Sequence, residues 1–251
     1  MSYATRVTVV GFVLAQFVLA WLLYATQQPP PMVEAAGCRG NDTARWVLMA
    51  HMSGSGGRAH AVLSTWLRPS RDVGVLAFGP GGGTDWEKTK GAFEQALRCF
   101  PSAEIVAKFD DDSYVYTRRL IARLLRAQKD YVGYPIKREG LTYAQGGAGI
   151  ILSRRAVQLL SLCTPDASVV EWEDVAVGWC MRQAGVPLTD LVGLYQGTPC
   201  EKARWNPKFQ WRGEPLSSYL RPLSYHHIPP ETVLRMHALR HRSQLGIAWG
   251  C

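Results

Sequence analysis

Three adjacent aspartates, Asp110-Asp111-Asp112, follow the apolar stretch 105–109. Neighbouring carboxylates repel one another, so such a run calls for compensation. In an extended chain side chains alternate, and Asp110 and Asp112 then face the same way. Two hard oxygen ligands aimed at one spot suit Mg²⁺ or Mn²⁺ and leave coordination positions open for a diphosphate. The plain alternative is an acidic turn that merely ends a strand. Three other groups have types suited to the same chemistry. Gly146-Gly147-Ala148-Gly149 lets backbone approach a ligand closely, or forms a tight turn. Glu171-Trp172-Glu173-Asp174 opens a helix, where acid complements the helix dipole or serves as a general base. His226-His227 offers imidazole, a common ligand for Mn²⁺-class ions, or a structural pair.

An alternation of strands and helices must position these groups. Short apolar runs at 46–52, 73–78 and 104–109 read as strands, with helical patterns at 58–66, after Thr84, and at 118–128 between them. Thr84 with Glu87 forms a capping box, and Thr117 and Ser153 are placed to cap their helices. Further strands are expected at 131–136 and 148–152, and a helix at 174–183 stopped by Gly185 and Pro187. The pattern predicts an α/β fold, Rossmann-like in its first half, with a mostly parallel sheet flanked by helices. Ligands on such sheets sit beyond the carboxyl ends of the strands, where the acidic triplet lies. Residues 79–83 are glycine-rich but lack the spacing of a phosphate loop, and read as an ordinary loop.

The chain has 251 residues, 47% hydrophobic and 19% charged, enough for a sizeable core and too apolar for a disordered chain. Its formal charge of +8 suits anionic partners, but the basic residues are scattered, so nucleic acid is not expected. Residues 7–24 form an apolar run ending in Trp21 and Tyr24, with Arg6 before it. This length and charge bias predict a transmembrane signal anchor with residues 1–6 cytoplasmic. A cleaved signal peptide and a buried core helix are the competing readings. Residues 25–37, with Pro29-Pro30-Pro31, read as an extended stem, leaving 38–251 as the lumenal domain. Six cysteines without CxxC spacing argue for disulfides over zinc, and six allow fifteen connectivities. Asn41-Asp42-Thr43 is a glycosylation sequon.

In combination these segments resemble glycosyltransferase family 31, which includes the β-1,3-galactosyltransferases, the core 1 synthase and the Fringe enzymes. The resemblance rests on Lys108-Phe109-Asp110-Asp111-Asp112-Ser113-Tyr114-Val115 and on Tyr143-Ala144-Gln145-Gly146-Gly147-Ala148-Gly149. It continues in Glu173-Asp174-Val175, in the early Arg58 and Thr65-Trp66, and in Ser224-Tyr225-His226-His227-Ile228. These blocks run in order from about 46 to 240. The late segment departs from Fringe, where one residue separates the histidines.

The resemblance implies a GT-A fold, a UDP-sugar donor, Mn²⁺ and an inverting transfer to a glycan or glycoprotein acceptor, galactose being the first choice of sugar and β-1,3 the linkage. Asp112 becomes the direct metal ligand, joined by Asp110 and His226, with His227 in reserve. Arg58, Asp110, Asp111, Gly146 and Gly147 fall on the donor side, and Asp174 matches the catalytic base. Relatives also imply a Cys163–Cys180 disulfide. With the anchor, the resemblance implies a type II protein of the Golgi membrane. Trp172, Trp205 and Trp211 could stack on sugar faces or pack as ordinary aromatics. A haloacid-type phosphatase also places Asp-x-Asp after a strand, but wants Thr or Val where Tyr114 stands. An inactive, sugar-binding or chaperone-like relative would keep the fold without turnover.

Overall fold

The structure is a computed structural model that describes residues 37–79, 82–197 and 221–239. The expected anchor at 7–24, most of the stem, and Trp205, Trp211, Cys200 and Cys251 lie outside the described residues. No described helix is long and apolar enough to cross a membrane.

Among the described residues a seven-stranded sheet forms the centre. Third from one edge, β2 (Trp46–His51) pairs in parallel with β3 (Val73–Phe78) and β4 (Ile105–Asp110) over all six residues. The side chains of β2 alternate between two cores. Trp46, Leu48 and Ala50 join one cluster, and Val47 and Met49 the other. The first cluster is covered by α1 (Gly56–Ser64), α3 (Thr117–Ala127) and α6 (Pro230–Leu239), through Ala61, Leu120 and Val233 among others. The second lies under α2 (Asp85–Cys99), α4 (Arg154–Ser161) and α5 (Glu173–Gln183), through Phe93, Val157 and Val177. The result is a sheet with helices on both faces.

The sheet is mixed, which corrects the mostly parallel expectation. The strand β1 (Cys38–Arg39) runs antiparallel to β3 at one edge. At the other end, β9 (Ile150–Ser153) is antiparallel to both β4 and β6 (Tyr131–Gly133), while β10 (Leu188–Asp190) is parallel to β6. The cause is the connection. From β6 the chain reaches β9 through a hairpin, β7 (Pro135–Arg138) and β8 (Leu141–Ala144), with no crossover helix to return it in the parallel sense. The expected strand at 131–136 is thereby split. It breaks before Pro135, whose ring nitrogen has no hydrogen to donate to the ladder, and β7 turns away to pair with β8.

Local signals mostly hold. Thr84 and Glu87 form both bonds of the capping box, and the Ser153 hydroxyl accepts from Ala156 N–H. Thr117, however, is the first residue of α3 and not its cap. Its hydroxyl turns to the Trp66 carbonyl, 3.4 Å away. Two disulfides lie among the described residues: the expected Cys163–Cys180, which ties the end of α4 to α5, and Cys38–Cys99, which ties β1 to the end of α2.

A second, small sheet brings the two histidines to the acidic triplet. In it β12 (Ser224–Tyr225) lies between β11 (Leu194–Tyr195) and β5 (Tyr114–Val115). Ser224 is opposite Val115 and Tyr225 opposite Tyr114, so the chain just beyond β12 arrives beside the chain just before β5. That register delivers His226-His227 to the acidic triplet. Ile228 N–H donates to the Asp112 carbonyl at 2.7 Å and fixes the approach.

Candidate functional site

The triplet sits where β4 ends, at the carboxyl edge of the parallel strands. Asp110 is the last residue of β4, and Asp111 N–H donates to the His51 carbonyl at the end of β2. Asp110 and Asp112 do face one side: His226 Nε2 lies 3.5 Å from Asp110 Oδ2 and 3.0 Å from Asp112 Oδ1. His227 Nδ1 lies 3.7 Å from Asp112 Oδ2. Asp111 points elsewhere. Its Oδ2 accepts from both the amide and the hydroxyl of Ser53, at 2.7 Å each, and its Oδ1 is 3.5 Å from Arg58 Nη1. Arg58 also stands 3.7 Å from Asp112 Oδ2, so in this structure it is an ion-pair partner of the triplet.

These residues fit a divalent cation. Asp112 Oδ1 is buried and accepts no hydrogen bond, although His226 Nε2 is 3.0 Å away. The separation is that of two ligands of one ion: two atoms bound at right angles, each about 2.1 Å from the ion, stand about 3 Å apart. One ligand atom each from Asp112, His226 and His227 lie within 4.8 Å of one another. Charge favours the ionised carboxylates. Burial pushes Asp112 up, but the contacts with His226, His227 and Arg58 outweigh it and hold the group well below the usual carboxylate range. Asp110 is likewise pushed up by burial and pulled below its ordinary value by Lys108 and His226.

Lys108 organises the space behind the triplet. It is fully buried in β4, and its Nζ donates to Asp110 Oδ1 at 2.6 Å and to Glu173 Oε1 at 2.8 Å. Burial alone would lower it, yet the two carboxylates raise it well above the ordinary lysine value. One buried cation therefore links the end of β4 to the start of α5. Its sequence signal was a charge inside an otherwise apolar strand. Ser53 lies outside every motif block of the sequence, whereas Ser113 and Gln145 stand inside two of them with nothing local to mark their roles.

The glycine turn separates two halves of the site. Gly146 N–H donates to Asp174 Oδ2 at 3.1 Å, and a side chain at Gly146 would press on Glu173 Oε1. A side chain at Gly147 would collide with the His226 ring. The hydroxyls of Ser113 and Ser224 pin the turn by donating to the Gly147 and Ala148 carbonyls. Gln145 Oε1 accepts from Ala148 N–H, and its amide nitrogen lies 3.3 Å from His226 Nδ1, holding the ring in place. The glycines thus seat the histidine on one side and Asp174 on the other.

Asp174 is in the first turn of α5, its Oδ1 accepting from Val175 N–H. Glu173 is the first residue of that helix, not a residue before it. Burial, and then the Glu173 carboxylate, push Asp174 up to about 6. A carboxylate poised there is ionised at neutral pH yet basic enough to take a proton. Trp172, just before α5, is exposed.

The arrangement joins a cation-ready cluster, a buried charge link and a raised carboxylate within one edge of the sheet. No protein-family profile matches the chain, and no curated protein does. Among solved structures, it is similar to a glycosyltransferase involved in the glycosylation of the major capsid of PBCV-1, at 12% identity with a TM-score of 0.42, over 77% of this chain and 98% of the other. A protein from STIV aligns at 11% identity with a TM-score of 0.39, over 59% of this chain and 81% of its own. Both likenesses are distant.

Proposed function

We propose that this chain is an inverting, divalent-cation-dependent glycosyltransferase. It moves a hexose or N-acetylhexosamine, galactose before others, from a UDP-sugar to a hydroxyl of a glycan or glycoprotein, forming a β-1,3 linkage. The observation that carries this reading is the juxtaposition across Gly146-Gly147 of a cation-ready Asp112–His226 pair and a carboxylate raised to about 6. The ordered resemblance to family 31 supports the choice of donor and linkage.

In this reading Asp112, Asp110 and His226 hold Mn²⁺, and Arg58, Asp111, Gly146 and Gly147 shape the donor side. The ion supplies charge compensation for the departing diphosphate. Asp174 accepts the proton of the acceptor hydroxyl as that oxygen attacks the anomeric carbon, and the bond to UDP breaks on the opposite face. One displacement inverts the configuration. Gly146 N–H and Val175 N–H orient the base, and the Lys108 ammonium offsets the Glu173 charge beside it. An inactive relative would tend to lose the acidic triplet or the Asp174 carboxylate, and both are present. The anchor, stem and sequon support a type II Golgi membrane protein with a lumenal domain.

The test is to incubate the full chain with a panel of UDP-sugars and glycan acceptors, with Mn²⁺ or with a chelator, and to assign the product anomer by NMR. A β-linked product that requires Mn²⁺ is expected from an α-linked donor. An α-linked product would rule out single displacement.

A further inference from the structure

The two adjacent histidines reach the same carboxylate, and the backbone is bent to let them. Successive side chains of an extended segment point to opposite sides, so a pair following β12 would ordinarily split, one toward Asp112 and one away. His227 instead adopts φ 58°, in the left-handed region that residues with a Cβ avoid. Among the described residues, the other such non-glycine positions are Gln128 and Glu139. Gln128 closes α3, and Glu139 lies in the turn between β7 and β8, where a positive φ is ordinary. His227 caps no helix and closes no hairpin. Its conformation stacks the two imidazoles, with centroids 3.8 Å apart and planes at 25°. His226 Nε2 then faces Asp112 Oδ1 at 3.0 Å, and His227 Nδ1 faces Oδ2 at 3.7 Å. Strained backbone that persists at a site points to a role there.

We propose that His227 is a second imidazole ligand, so that two nitrogens join the Asp112 and Asp110 carboxylates in holding the cation, and that the site therefore selects borderline transition ions over hard ones. This rests on the cation-site reading above. Oxygen ligands alone accept Mg²⁺ readily, whereas each imidazole shifts preference toward later first-row ions. The expected ranking is Mg²⁺ weakest, Mn²⁺ intermediate and Co²⁺ tighter. His226 is buried and His227 exposed, so the second imidazole would face the solvent side of a bound ion.

The test uses the full chain stripped with chelator and titrated with Co²⁺, Mn²⁺ or Mg²⁺ alone. Calorimetry reads affinity, and the visible absorption of Co²⁺ reads its ligands. His227→Gly removes the imidazole and relieves the positive φ, since glycine adopts it freely. Loss of an outer-shell partner already costs about 10–100-fold in metal affinity, so this variant is expected to weaken Co²⁺ at least about ten-fold and change its spectrum. Mg²⁺ should change less, and the Tm of the stripped protein should hold or rise. His227→Asn, which tolerates the same backbone and offers an oxygen, should keep Mg²⁺ and lose the preference for Co²⁺. If His227→Gly lowers Tm while Co²⁺ affinity and spectrum stay at wild-type values, His227 is structural and the proposal is overturned. If the wild-type chain binds none of the three ions, the cation-site reading fails and takes the proposal with it.

Discussion

Asp174 is raised to about 6 by burial and by Glu173, and this has consequences of definite sign. A base must be unprotonated, so kcat/KM should rise with pH to about 6 and then level. Asp174→Asn removes basicity while keeping shape. It should lose about 10²–10⁴-fold in kcat with Mn²⁺ and donor binding near wild type, and Glu173→Gln should be milder. A folded value above the unfolded one means that the native state holds its proton longer, so Asp174 costs stability as pH rises from about 4 to 6. The Asn variant should therefore be at least as stable as wild type at neutral pH, which separates lost chemistry from lost folding. On the other side of the turn, Gly147→Ala would drive a methyl into the His226 ring and should weaken Mn²⁺ binding measured by calorimetry. The triplet, Gly146-Gly147, Asp174 and the histidines were legible because residue type and spacing carry their chemistry. Lys108 was not, because its partner Glu173 is remote in sequence and a single charge in an apolar strand does not say what it pairs with.

Short elements with distant partners do the positioning. The two-residue strands β5 and β12 have no periodicity to read, yet their pairing is what sets His226 beside Asp112. The same lack of local signal hid the sense of β9, which is decided by the hairpin before it and not by its own residues. The longer helices were legible because burial of one face imposes a period on them, and the central parallel strands because burial of both faces makes them unbroken apolar runs. The Cys163–Cys180 bridge holds α5, and with it Asp174, against the end of α4. It spans 17 residues, so replacing both cysteines by serine should cost about 3 kcal/mol, read from denaturant midpoints. The Cys38–Cys99 bridge spans 61 residues, and its loss should cost about 4 kcal/mol. The first loss should also lower kcat, since it loosens the packing of α5, whose first turn carries the proposed base, whereas the second should spare it.

At the scale of the molecule, the described domain carries its site on one edge of the sheet, and the chain carries an apolar run before it. Protease protection on sealed microsomes should leave residues 38–251 intact without detergent, and digestion would reject the lumenal placement. Asn41 is exposed at the start of the domain and should then carry glycan, seen as a mobility shift on glycosidase treatment. The central claim is that the Asp112 cluster binds a cation which in turn holds a nucleotide diphosphate. Calorimetry of UDP against the full chain, in Mn²⁺ and in chelator, tests it most directly. UDP should bind with Mn²⁺, lose most of its affinity in chelator, and fail to bind Asp112→Ala under either condition. Equal UDP affinity with and without Mn²⁺, unchanged in Asp112→Ala, would contradict the account.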